Sequence, residues 1–133
     1  MQPSRYPKIR SFRDLVAWQK AIQLAREAYV LTDRFPKHEL YGITAQMRRA
    51  AVSIPANIAE GHARRTTRDY IRFLAIAMGS LRELETCAEI STLIGLASRQ
   101  QLEPVSGLAN EVGALLARLS FSLASKSKSP LIP

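Results

Sequence analysis

The chain has 133 residues, 47% of them apolar, with six glycines, seven prolines and a single cysteine. That length supports one domain with one contiguous core, and a lone Cys87 excludes an intramolecular disulfide framework and a cysteine-rich zinc site, fitting a reducing cytoplasm. Lys plus Arg exceed Asp plus Glu by 19 to 11, a net charge of +8 that favours polyanionic partners, though many small domains are basic for solubility alone.

Residues 1–11 carry Pro3, Pro7 and several basic residues but no apolar run, so they read as a flexible basic arm and not as a secretory signal. Ser11-Phe12-Arg13-Asp14 has the form of a capping box. From there Leu15, Trp18, Ile22, Ala25 and Tyr29 recur at helical spacing, with Leu24, Ala28 and Leu31 widening the face. This first helix should stop before Phe35-Pro36. A second helix is expected from Glu39 or Leu40 to Gly61, its stripe being Leu40, Ile43, Met47, Ala50, Ile54 and Ile58. Pro55 lies inside that stripe, where it removes a backbone hydrogen bond and predicts a kink. Gly61 reads as a C-terminal stop.

Thr66-Thr67-Arg68-Asp69 caps a third helix, which should run to about Gly95 on a seam of Tyr70, Phe73, Leu74, Ala77, Leu81, Leu84 and Ala88. Gly79-Ser80 in its middle suggests close approach of a neighbouring helix. A fourth helix should start between Ser98 and Leu102 and reach Ser125, using Leu102, Val105, Leu108, Val112, Leu115, Leu116, Leu119 and Leu123. Lys126 to Pro133 reads as a disordered tail. No stretch shows strand-like alternation, and the connections are short. The pattern predicts an all-α, antiparallel up-down-up-down four-helix bundle over residues 12–125. No apolar run is long enough to suggest a membrane partner.

Catalytic templates are missing. The sequence has no glycine-rich phosphate loop, no GxSxG and no Glu-x-x-His pair. His38 and His62 are too far apart to share a helical turn, so neither an enzyme nor a metal or cofactor is expected. Cys87 falls beside the third-helix seam and reads as a buried structural thiol.

Two clusters remain. On the second helix Gln46, Arg49, Ser53, Asn57 and Glu60 fall within about 80° of one another, beside the apolar stripe. Ser and Asn are mediocre helix formers with hydrogen-bonding side chains, so a polar seam against another helix or subunit competes with a plain solvent face. Between Ile43 and Arg72 there are six arginines against only Glu60 and Asp69. Of these, Arg48, Arg64, Arg65, Arg68 and Arg72 are the candidate nucleic-acid contacts, since arginine suits bidentate phosphate binding and base stacking. The competing reading pairs Arg68 and Arg72 with nearby acids on a wet surface.

Several stretches closely resemble one family: Phe12 to Ala21 (FRDLVAWQKA), Phe35-Pro36-Lys37 with Glu39, Tyr41 and Gly42, and above all Gln46 to Gly61 (QMRRAAVSIPANIAEG). Arg64 or Arg65, Tyr70, Phe73-Leu74, Ala77, Gly79-Ser80-Leu81 and Glu83-Leu84-Glu85 continue the likeness, which covers about residues 12–95. The family is the four-helix bundle proteins encoded within intervening sequences of bacterial 23S rRNA genes. Met47 and Ala56 depart mildly from its pattern, and the fourth helix matches only as an amphipathic segment. The resemblance implies a homo-oligomer, a ring-like homopentamer with the polar positions near subunit contacts. The chain is also similar to accessory proteins of diversity-generating retroelements, which engage RNA and a reverse transcriptase. Together these imply a non-catalytic, oligomeric protein associated with structured RNA; the alternative is an oligomeric scaffold for protein–protein interaction.

Overall fold

The computed structural model describes residues 8–127. Four helices account for most of it: α1, Val16–Thr32; α2, Ala45–His62; α3, Thr67–Leu93; α4, Arg99–Ser127. No strand occurs among the described residues. The helix expected to end at Ser125 reaches Ser127, and the rest of the expected tail, like most of the N-terminal arm, lies outside the described residues.

Each helix packs on two neighbours: α1 on α2 and α4, α3 on α2 and α4, with the α2–α3 contact the most extensive. The residue pairs set the directions. Gln46 meets Glu83 and Ser53 meets Ser80, so α2 and α3 run antiparallel. Lys20 pairs with Glu111 while Glu27 and Leu31 face Gln101 and Val105, so α1 and α4 do too. Glu89 pairs with Arg99 and Leu81 lies against Gly113, which makes α3 and α4 antiparallel. The result is the expected up-down-up-down bundle.

The Ser11 box is real but caps a different element. Ser11 Oγ accepts from Arg13 N (3.1 Å) and the Asp14 carboxylate accepts from Ser11 N, closing a short 3-10 turn at Phe12–Asp14. Leu15 is then extended, and α1 starts at Val16 without a side-chain cap. The buried row of α1 is Ala17, Ala21, Leu24, Ala28 and Leu31, whereas Ile22 and Tyr29 are 43% and 44% exposed. Hydrophobicity alone centres the face on the larger side chains. The small alanines instead lie innermost, where they cost no side-chain entropy and let neighbouring helices come close.

The second helix begins later than expected. Lys37–Glu39 form a 3-10 turn and Leu40–Thr44 a π-helical turn, with Gly42 outside helical geometry (φ −103°, ψ −117°). Leu40 is correspondingly 43% exposed and contributes nothing to the buried stripe. α2 then continues through Pro55 to His62. The buried residues Met47, Ala50, Ala51, Ile54 and Ile58 lie on both sides of that proline and hold the two halves in one packed face.

The remaining ends follow local rules. Thr66 Oγ1 accepts from Asp69 N at 3.1 Å, starting α3 as expected. At its other end Leu96 N donates to Ser91 O and Gly95 N to Thr92 O, with Gly95 at φ 82°, a Schellman motif. Ser98 and Gln101 form a reciprocal capping box at the start of α4. Leu24, Met47, Ile54, Ile58, Leu74, Leu81, Leu84, Val112 and Leu116 fill the centre. Cys87 is buried among them; desolvation first, and then nearby Glu83, push its thiol above the ordinary range, which suits an inert structural role.

Candidate nucleic-acid interface

The turn from α2 to α3 spans only a few residues, so the two helices must come close where they meet. Gly61 permits this. A Cβ placed on it would lie 2.8 Å from Phe73 Cβ and 3.2 Å from the Tyr70 carbonyl oxygen. Gly61 therefore does not stop α2, which passes through it to His62; it is the contact point of the two helices.

Four of the five expected arginines gather at this turn. Arg64 donates to Glu60 Oε1 at 3.0 Å, and its guanidinium carbon stands 4.4 Å from the Phe73 ring centroid. Arg72 donates to Asp69 Oδ1 at 3.3 Å and stands 4.6 Å from the same ring. One buried phenylalanine thus holds two cations at one place. Arg65 and Arg68 are exposed and make no ion pair among the described residues. The acids expected to compete for this cluster are engaged by Arg64 and Arg72, not by Arg68. Exposed pairs of this kind contribute about 0–1 kcal/mol, so a phosphate can share or displace them. Beneath the turn, His62 meets Tyr70 edge-on at 5.8 Å. The Tyr70 hydroxyl is buried without a partner among the described residues, and desolvation raises its pKa.

Arg48 does not belong to this cluster. It lies near the start of α2, sixteen residues before Arg64, roughly 24 Å away along a helix rising 1.5 Å per residue. Its Nε donates to Thr32 Oγ1 at 2.9 Å and its guanidinium covers the Tyr29 ring at 4.7 Å, tying α2 to α1.

Two of the five polar-seam residues, Ser53 and Gln46, reach α3. Ser53 Oγ and Ser80 Oγ are 2.8 Å apart, and Gln46 Nε2 reaches Glu83 Oε1 at 3.5 Å. Asn57 turns back along its own helix, donating to Ser53 O (2.8 Å) and Ser53 Oγ (2.9 Å). Glu60 is exposed and engaged by Arg64, while Arg49 is exposed and makes no ion pair among the described residues. Ser80 is thus the partner of the seam on α3. Gly79 beside it has nothing within 4 Å of an added Cβ, so no helix of this chain requires its small size.

Among the described residues, no group of three or more His, Cys, Asp or Glu is arranged to hold a metal ion, and no helix is long and apolar enough to cross a membrane.

No curated protein matches the chain. A solved structure that does match is a protein of unknown function from the S23 ribosomal protein family of Bacteroides thetaiotaomicron. It is 24% identical with a TM-score of 0.71, over 79% of this chain and 98% of that one, and at that identity it speaks for the fold. The model of the 23S rRNA-intervening sequence proteins matches residues 13–118, through all four helices and across the polar seam and arginine turn described above. By that match the chain belongs to the 23S rRNA-intervening sequence protein family.

Proposed function

We propose that this protein is a non-catalytic, oligomeric bundle that binds structured RNA through Arg64, Arg65, Arg68 and Arg72. One observation carries the reading: Arg64 and Arg72 both lie over the Phe73 ring, while Arg65 and Arg68, in the same stretch of chain, are exposed without an ion pair among the described residues. Arginine forks suit phosphate bidentately and stack on unpaired bases, which is how proteins engage RNA loops and bulges. The net charge of +8 supports the same partner class, as does the family's description by an rRNA intervening sequence. The assembly expected is a homopentamer, five times the 14.8 kDa of one chain.

Fluorescence anisotropy with structured fragments of 23S rRNA tests the reading. The double variant Arg65→Glu/Arg68→Glu should lose more than tenfold in affinity while keeping its helical circular dichroism and its mass by light scattering. Absent or salt-insensitive binding by the wild type would sink the proposal. A second reading, an oligomeric protein–protein scaffold, is favoured by the exposed apolar residues Val52 (48%) on α2 and Ile76 (41%) on α3. In that case the double variant changes the mass and no nucleic acid binds.

A further inference from the structure

The junction of α1 and α2 holds a second cation site, far from the arginine turn and built differently. A cavity of about 310 Å³ opens there, walled by Phe35, Pro36 and Leu40 and bordered by Asp33, Lys37 and Arg48. Arg48 is half-buried, yet no carboxylate pairs with it among the described residues. Instead its position is set from two directions. Thr32 Oγ1 donates to Ala28 O at 2.8 Å, which leaves its lone pairs to accept from Arg48 Nε, and the Tyr29 ring lies against the guanidinium. Both terminal nitrogens of the fork remain without a protein acceptor among the described residues. Thr44, which lines the same cavity, is 2% exposed with a hydroxyl that likewise has no partner. It directly precedes α2, two residues after the kink at Gly42.

The geometry points to a binding site for a nucleoside monophosphate unit, either free or as an unpaired nucleotide of RNA. An oriented guanidinium with two free amino groups is the donor set for a phosphate, and Lys37 adds a second cation at the same cavity. The apolar wall of Phe35, Pro36 and Leu40 suits the flat face of a base. Asp33 supplies the acceptor that a ribose hydroxyl or an exocyclic amine requires. The cavity volume is that of a small-ligand pocket. Thr32 is a positioning residue, acting only through Arg48. The site goes beyond the RNA reading given for the arginine turn and stands on separate residues.

Heteronuclear NMR on the full chain, titrated with adenosine 5′-monophosphate, tests it. Saturable shifts are expected at Thr32, Lys37, Thr44 and Arg48, with adenosine and inorganic phosphate each binding at least tenfold more weakly. Arg48→Gln should weaken the nucleotide at least tenfold, and Arg48→Lys should not restore it, since an ammonium lacks the fork. Thr32→Val should weaken it severalfold and Thr32→Ser should retain wild-type affinity, which a merely structural role would not separate. Tighter binding of pentaadenylate than of the monophosphate identifies an RNA nucleotide as the occupant; the reverse order identifies a free one. Arg65→Glu/Arg68→Glu must keep nucleotide binding even where it abolishes RNA binding, so the two sites fail independently. No saturable binding of either probe at millimolar concentration overturns the site. So do equal affinities of wild type and folded Arg48→Gln, or shifts confined to the α2–α3 turn. Should the Arg48 variants not fold, the location of the wild-type shifts decides alone.

Discussion

Two glycines of this chain do opposite things, and substitution should separate them. At Gly61 an alanine methyl would sit 2.8 Å from Phe73 Cβ, closer than side-chain carbons approach, and the obstacle is the rigid base of a side chain on α3. The overpacking cost of about 1–3 kcal/mol should outweigh the gain of about 1 kcal/mol from helix propensity. Gly61→Ala is therefore expected to lower the urea midpoint. Gly79 is exposed in mid-helix with nothing within 4 Å of an added Cβ, so Gly79→Ala should add up to about 1 kcal/mol of stability and raise the midpoint. An unchanged midpoint in Gly61→Ala would show that the α2–α3 turn relaxes freely. A lowered mass in Gly79→Ala would mean that another copy, not a helix of this chain, approaches at Gly79. From the sequence Gly61 reads as a stop and the small pair Gly79-Ser80 as a close approach; α2 does meet α3 at Ser80, but Gly79 takes no part and Gly61 is itself a contact point. Spacing places a glycine on a face but does not say which partner atoms stand opposite it. That information enters only when Phe73 is brought back across the turn.

At the level of elements, hydrophobic periodicity located four helices because each buries one stripe. It misjudged α1 because the centre of its buried row is alanine, the residue with the weakest hydrophobic signal, while Ile22 and Tyr29 face out. It also placed the start of α2 too early. The backbone leaves helical geometry at Gly42, and a 3.6-residue apolar pattern does not register such a break. The polar seam was legible as a stripe, and its partner Ser80 was visible only as a small residue. The α3–α4 junction shows how an element end is clipped. Arg99 donates to both Glu89 oxygens, at 2.8 and 2.7 Å, across the Schellman turn. Hydrogen bonding from Arg99, and its charge beside the carboxylate, hold Glu89 below the usual carboxylate range. A depressed acid of this kind adds stability that is present above its unfolded pKa, and that stability is lost as pH falls through the folded value. Carbon-detected NMR titration should place the Glu89 midpoint below the ordinary glutamate range. In Arg99→Gln it should return toward that range. A Glu89 midpoint unaffected by Arg99→Gln would mean the bidentate pair does not persist in solution.

For the molecule as a whole, charge and assembly make a joint prediction. Between Ile43 and Arg72 the balance is strongly basic, and from Arg82 to Arg118 it is acidic. The turn and the start of α3 therefore carry four of the 19 cationic side chains within the nine positions Arg64 to Arg72. Counterion release converts this into a number. If only the unpaired Arg65 and Arg68 of one copy reach phosphates, log K should fall with log salt with a slope of about −1.4 to −1.8. Recruiting Arg64 and Arg72 as well, at the cost of their exposed pairs with Glu60 and Asp69, extends it to about −3 to −4. One copy has no further arginines at this turn, so a steeper slope requires either other cations of the same chain, such as Lys37 and Arg48 at the α1–α2 junction, or several copies on one RNA. An oligomer that presents its turns to a shared ligand should exceed −4, and neutralising Arg68 alone should reduce the slope by about 1 for every copy engaged. The drop caused by Arg68→Gln, set beside the mass from light scattering, counts the subunits that touch the RNA. A slope no steeper than about −4 at the mass of a single chain would assign all binding to a monomer and remove the oligomeric half of the proposal.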